Sequence, residues 1–146
     1  MDMYMYFYCL GYSDYMLLKK IIIEYIEESL HECMEYLDYY INENDYVQDA
    51  RCSLFSLTLE SEFTSKEFDL EFTRDVYQIS TNVSMYINLF TDTIVNGKCV
   101  LKEMVKKVKD LTHTNIIVLE HSSKIVYSYC GNNCYIDELF WDSKEE

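Results

Sequence analysis

The stretch that decides the predicted fold runs from Leu89 to Leu111 and reads LFTDTIVNGKCVLKEMVKKVKDL. Its Thr91-Asp92-Thr93 segment supplies the short polar side chains that favour a helix N-cap. Beyond this cap, apolar residues recur at helical spacing, and lysines occupy the other side of the predicted helix. The apolar positions are Leu101, Met104, Val105, Val108 and Leu111, and the lysines are Lys102, Lys106, Lys107 and Lys109. The stretch therefore predicts an amphipathic helix that begins after Asp92.

Helical spacing extends outward from this stretch on both sides. The longest predicted helix begins at a cap at Ser13 or Asp14 and ends in the turn-like segment 42–45. Two short segments favour the alternative of a strand, Leu57–Leu59 by alternation and Ile116–Val118 by the β-propensity of its residues. Taken together, the pattern predicts an all-α fold of about seven helices. Further helices are predicted at 46–63, 64–72, 76–90, 116–129 and 135–141.

Composition indicates a folded single domain and limits its partners. The 146 residues are 49% apolar and show no internal repeat, linker or change of composition, which predicts one domain over residues 1–146. Twenty-six acidic residues against twelve basic ones give a net charge of −14. This charge repels nucleic acid and anionic membranes, and it favours either a basic partner or simple solubility. No segment approaches the roughly 18 consecutive apolar residues of a membrane span, so no transmembrane anchor is predicted.

Motifs that carry catalytic chemistry are missing from the sequence. There is no glycine-rich phosphate loop, no nucleophile elbow and no pair of histidines at metal-ligand spacing. Six cysteines scattered through apolar stretches indicate a reducing compartment and mostly free thiols. We therefore expect no enzyme activity, no cofactor and no metal. Cys130 and Cys134, which flank the turn at 131–133, leave open one alternative, a dithiol or metal-binding helical protein.

The segment Leu89–Val100 resembles the first homology region of the Bcl-2 family of apoptosis regulators. That region reads Leu-Phe-Arg-Asp-Gly-Val-Asn-Trp-Gly-Arg-Ile-Val, and the ungapped match keeps its leucine, phenylalanine, aspartate, glycine, one basic residue and the final valine. Gly131–Phe140 resembles the second homology region more loosely, and the long first helix suits the fourth. The match departs from the family at Val95-Asn96, where the signature has Asn-Trp, and in the four lysines of the central helix.

The resemblance implies a divergent pro-survival member from a large DNA virus, with a bundle around a central helix and a hydrophobic surface groove. Such a protein inhibits apoptosis by binding the third-homology-region helices of pro-apoptotic partners, like those of Bim, Bak and Bax. The implied location is the host cytoplasm, with recruitment to the mitochondrial surface. The resemblance assigns ten residues to the groove: Leu54, Leu57, Met85, Asn88, Leu89, Val95, Gly97, Lys98, Leu101 and Val105.

Within this groove, Gly97 would let the ligand backbone approach closely, and Lys98 would pair with an aspartate of the ligand. We also expect the open groove to bring two copies together as a homodimer when no ligand is bound. Two alternatives remain open at this point. The same fold could bind an innate-signalling protein, or the apolar residues assigned to the groove could be ordinary core.

Overall fold

A computed structural model describes residues 1–32, 35–42, 45–62, 71–121 and 123–142 of the chain. These residues form eight β-strands, four α-helices and one short 3-10 turn at Thr91–Thr93. The strands are β1 (Asp2–Phe7), β2 (Glu35–Asn42), β3 (Asp45–Arg51), β4 (Phe55–Glu62), β5 (Val83–Leu89), β6 (Ile116–Glu120), β7 (Lys124–Cys130) and β8 (Asn133–Ile136). The helices are α1 (Tyr12–Leu30), α2 (Glu71–Tyr77), α3 (Ile94–Thr112) and α4 (Glu138–Asp142).

All eight described strands join in one antiparallel sheet in the order β2-β3-β4-β5-β1-β6-β7-β8. The first strand, β1, lies inside the sheet, where Met5 pairs with Met85 of β5 on one side and with Val118 of β6 on the other. The strands β2-β3-β4 and β6-β7-β8 are consecutive in the chain and pair with their neighbours through short connections. Strand β1 therefore holds the two halves of the sheet together.

The main core lies between one face of the sheet and the helices α1 and α3. Along β1, the fully buried Met3, Met5 and Phe7 alternate with half-buried residues, as expected of a strand with one face on the core. Each helix contributes an apolar stripe: Leu18, Ile22 and Ile26 from α1, and Leu101, Met104, Val105 and Val108 from α3. Burying each of these large side chains contributes about 1.5–3 kcal/mol, so this layer is the main source of stability.

The opposite face of the sheet is more polar, and the described residues cover it only in part. It carries Tyr6 of β1 and Tyr86 of β5, which alternate along their strands with core residues. Helix α2 lies on this face, because the ring of Phe72 packs against the ring of Tyr6 with 6.1 Å between the centroids. Tyr86 remains exposed. This face is therefore the side of the sheet on which another molecule can reach the central strands.

The sheet contradicts the predicted all-α bundle. Three segments predicted as helices contain strands instead: 46–63 contains β3 and β4, 76–90 contains β5, and 116–129 contains β6 and most of β7. The long first helix ends at Leu30, and β2 follows where that helix was expected to continue. The predicted helix at 64–72 falls mostly on residues that lie outside the described ones. The amphipathic helix after Asp92 is confirmed as α3.

Ambiguous spacing explains the wrong prediction at β5. Val83 and Ile87 are four residues apart, which fits one face of a helix but, being an even number, also fits one face of a strand. Met85 between them is buried on the same side of the sheet, and this period of two decides for a strand. The prediction at β6 failed for a different reason, because Ile116–Leu119 is buried on both faces and shows no alternation.

The sheet also overturns the resemblance to the Bcl-2 family, whose fold is a helical bundle. The segment Leu89–Val100, which carried the match, contains the last residue of β5, the 3-10 turn and the first turns of α3. In this chain it forms a strand-to-helix connection and not the start of a central helix. The apoptotic role and the viral origin that the resemblance implied lose their basis with it.

Candidate functional site

The residues assigned to the predicted groove lie mainly in the core. Asn88 is half-buried on the opposite face of β5, and Val95 is exposed on α3. The other eight are buried between the sheet and the helices, in agreement with the alternative that the apolar ones are ordinary core. They offer no exposed surface for the predicted homodimer. These eight are Leu54, Leu57, Met85, Leu89, Gly97, Lys98, Leu101 and Val105.

Gly97 allows α3 to pack closely on the sheet. A Cβ atom at this position would lie 2.5 Å from Leu89 Cδ2 and 3.9 Å from Leu54 Cβ. Glycine avoids both contacts because it has no side chain. Its role in the structure is therefore helix–sheet packing.

Lys98 is a buried cation, with 1% of its surface exposed. Its Nζ donates a hydrogen bond to the main-chain oxygen of Phe140 at 3.2 Å and lies 4.4 Å from the centroid of the Phe140 ring. Burial lowers the pKa of the amine, and the negative charge of Glu120 opposes this shift. The cation–π contact and the hydrogen bond fasten α4 to α3, so this lysine does not face a ligand in solvent.

The three histidines occupy backbone positions that explain them structurally. His31 and His113 terminate α1 and α3 with φ of 54° and 52°, and His121 lies in the turn after β6 with φ of 55°. All three are in the left-handed region, which polar residues such as histidine adopt more readily than bulky apolar ones. Their isolation in sequence therefore reflects turn formation.

Cys130 and Cys134 do not come together in the hairpin that contains them. Cys134 pairs with Tyr129 and Cys130 pairs with Asn133 across β7 and β8, so the two thiols lie on opposite faces of the sheet. This geometry does not favour a dithiol or a shared metal ion. Within the described ranges, no group of three or more His, Cys, Asp and Glu residues could hold a metal ion.

A pocket of about 380 Å³ between the start of α1 and the end of α3 contains residue types found in thiol enzymes. Cys9, Asp14 and His113 line it. Burial raises the pKa of the Cys9 thiol to about 12, and the charge of Asp14 adds to the shift. The thiol is therefore protonated at neutral pH, and the pocket does not favour nucleophilic catalysis.

Negative charge is concentrated at one end of the sheet. Residues 24–62 contain eleven acidic residues and one basic residue, Arg51, and so carry −10 of the net charge of −14. They form the second half of α1 and the neighbouring strands β2, β3 and β4, which we call the acidic end. Glu32 Oε1 accepts a hydrogen bond at 2.9 Å from the backbone N–H of Ser53, which ties the last turn of α1 to the β3–β4 connection. No described helix is long and apolar enough to cross a membrane.

A second cavity of about 380 Å³, which we call the aromatic pocket, lies on the opposite face of the sheet beside the acidic end. Two cross-strand rows form its floor. Glu60, Ser84 and Tyr6 make up one row, and Thr58, Tyr86 and Tyr4 make up the next, while Phe72 of α2 completes the lining. Ser84 has the smallest side chain of the set and leaves space between the carboxylate and the ring on either side of it.

Ring contacts and one hydrogen bond hold the tyrosines of the aromatic pocket in place. The Tyr86 hydroxyl donates to Asp2 Oδ1 at 2.6 Å, and this bond is the main reason that the pKa of Tyr86 is raised to about 12. The rings of Tyr4 and Tyr86 lie 5.3 Å apart at a tilt of 57°. The Phe72 ring contacts Tyr6 and, edge-on at 5.5 Å, Tyr77. The pocket therefore has fixed aromatic walls and a carboxylate at its rim.

The sequence analysis missed this pocket, although one signal for it is present. Residues 3–7 read MYMYF, an alternation with a period of two that predicts a strand with one aromatic face. Glu60 and Ser84 carry no comparable signal, because only the pairing of β4, β5 and β1 places them beside Tyr6.

Comparisons with known proteins identify no relative. No protein-family model, no curated protein and no solved structure matches the chain. The functional argument accordingly depends on charge and geometry alone.

Proposed function

We propose that this chain is a non-catalytic binding protein that recognises a basic protein partner through its acidic end. The observation that carries the proposal is the segregation of charge, since residues 24–62 carry −10 and the remaining residues only −4. Solubility alone does not require segregation, because acidic residues spread over the surface serve it equally well. A negative field at one end of the molecule both steers and orients a positively charged partner.

The ion pairs of the chain support this proposal because they lie away from the acidic end. Lys102, Lys106, Lys109 and Lys124 pair with acidic residues outside it. Glu24 and Glu28 are exposed about one turn apart on α1, and Glu60 is exposed on β4. Since α1 covers one face of the sheet and Glu60 belongs to the other, carboxylates are available on both faces of this end.

Partner capture followed by a binding measurement tests the proposal. Proteins of the source cell are captured on the immobilised chain, and the most enriched partner is purified. Its dissociation constant is then measured by isothermal titration calorimetry at two salt concentrations. We expect a partner with positive net charge whose affinity falls as salt rises. A partner with no net positive charge, or one whose binding is insensitive to salt, would contradict the proposal.

Charge-reversal variants locate the interaction. Glu24→Lys/Glu28→Lys should weaken binding at least about tenfold, which equals about 1.4 kcal/mol. The matched control Glu103→Lys/Asp110→Lys makes the same change of charge at two exposed positions of α3, and its affinity should stay within about twofold of the unmodified chain. Equal weakening by both variants would show that net charge acts without a defined site and would overturn the assignment to the acidic end.

A further inference from the structure

The aromatic pocket combines two features that a single surface residue rarely meets together. Three tyrosine rings and Phe72 form its walls, and the exposed carboxylate of Glu60 lies at the acidic end of the same row as Ser84 and Tyr6. Aromatic faces attract cations through their quadrupole, and a carboxylate adds direct attraction. The pocket is therefore complementary to a group that is flat, apolar along its stem and positively charged at its end.

We infer that the aromatic pocket receives the side chain of an arginine from the basic partner. This inference rests on the proposed function and gives it a site. The guanidinium group stacks on aromatic rings and presents a fork of N–H donors that fits a carboxylate in bidentate fashion. In the pocket it would lie over the Ser84 gap, with its donors toward Glu60 and its face toward Tyr6.

The size and charge of the pocket fit this occupant. About 380 Å³ lies at the lower end of the range for ligand cavities and suits one side chain better than a larger ligand. Asp2, which accepts the hydrogen bond from Tyr86, adds a second negative charge on the same face of the sheet. Anionic ligands such as phosphate are disfavoured by these carboxylates and by the net charge of −14.

Titration with N-acetylarginine amide, a single cationic side chain without a partner protein, tests the pocket directly. Binding is followed by NMR of the tyrosine ring resonances. We expect saturable shifts at Tyr4, Tyr6 and Tyr86, weaker binding of N-acetyllysine amide and no measurable binding of N-acetylleucine amide. Equal binding of the leucine compound would show that the pocket is a general apolar surface and would overturn the inference, as would a lack of shifts at these tyrosines.

Two conservative variants separate the carboxylate from the rings. Glu60→Gln keeps the size of the side chain and should weaken N-acetylarginine amide at least about fivefold, whereas the control Glu28→Gln removes an exposed charge elsewhere on the acidic end and should change it less than about twofold. Tyr6→Leu keeps an apolar side chain and should also weaken binding. No effect of Glu60→Gln in a folded protein would overturn the inference.

The captured partner distinguishes failure of the pocket from failure of the proposed function. If Glu24→Lys/Glu28→Lys weakens the partner but Glu60→Gln and Tyr6→Leu leave it unchanged, the proposed function stands and the pocket inference fails. If the partner is not basic while N-acetylarginine amide still binds at the pocket, the proposed function fails and the pocket remains an arginine site without the assigned partner.

Discussion

Gly97 and Leu89 form a contact on which the packing of α3 against β5 can be tested. A Cβ atom added at Gly97 would come within 2.5 Å of Leu89 Cδ2, so the leucine must change its rotamer or the helix must move. Overpacking of this kind costs about 1–3 kcal/mol, whereas replacing glycine by alanine inside a helix contributes about 1 kcal/mol. We therefore expect Gly97→Ala to lower the free energy of unfolding by about 1 kcal/mol.

A double variant shows whether Leu89 is the limiting neighbour. Leu89→Ala alone removes a buried side chain and should lower the free energy of unfolding by about 2–5 kcal/mol. In Gly97→Ala/Leu89→Ala, the new methyl group enters the space that the leucine has left. The combined loss should then be smaller than the sum of the single losses by about 1–2 kcal/mol. Urea denaturation followed by the fluorescence of the buried Trp141 measures all three variants.

Leu57→Ala provides the matched control for this cycle. Leu57 belongs to the same core cluster, but it is not among the nearest neighbours of the added Cβ atom. Its effect should add to that of Gly97→Ala within about 0.5 kcal/mol. Additivity at Leu89 as well would refute the reasoning, and so would an unchanged stability of Gly97→Ala, which is the result expected for a glycine that lines an open groove.

Two further predictions concern a hydrogen bond and a helix terminus. Asp2→Asn should lower the pKa of Tyr86 from about 12 toward its ordinary value of 10.0, as followed by NMR of the ring carbons. Because the pKa is raised in the folded chain, the stabilisation is fully present below about pH 10 and is lost as the pH rises toward 12, and Asp2→Asn should reduce this loss. His113→Gly should raise the free energy of unfolding by about 0.5–1 kcal/mol and His113→Val should lower it, since φ at this position is 52°. Equal stability of these two variants in urea would contradict that expectation.

The sequence predicted helices well where the helical period is the only one that fits. In α3, buried residues at 101, 104, 105 and 108 follow spacings of three and four that no strand face can produce. In β4, the alternation of Leu57 and Leu59 indicated a strand, but helical spacing over the wider segment was preferred. A strand inside a sheet obtains its hydrogen bonds from residues distant in the sequence, as Leu59 does from Met85. Local spacing therefore cannot decide such segments by itself.

The candidate site was harder to predict than the helices because register creates it. Asp2 and Tyr86 are 84 residues apart, yet their side chains are joined by a hydrogen bond across β1 and β5. A shift of one residue in either strand would move Tyr86 to the opposite face and remove the pocket. The concentration of acidic residues over 24–62, in contrast, could be read from the sequence. Only the strand order shows that these residues share one end of the molecule.

The edges of the described sheet explain why the acidic end suits a basic partner better than a second copy of the chain. Strand β8 at one edge has four residues, whereas β2 at the other edge has eight and contains Glu35 and Asp38. An edge strand is a template for pairing with another chain, and short strands and charged residues limit such pairing. Pairing β2 with the β2 of a second copy would bring together two acidic ends of −10 each, which like-charge repulsion opposes. A basic segment meets attraction at the same edge, so the charge that opposes self-association there favours the proposed partner.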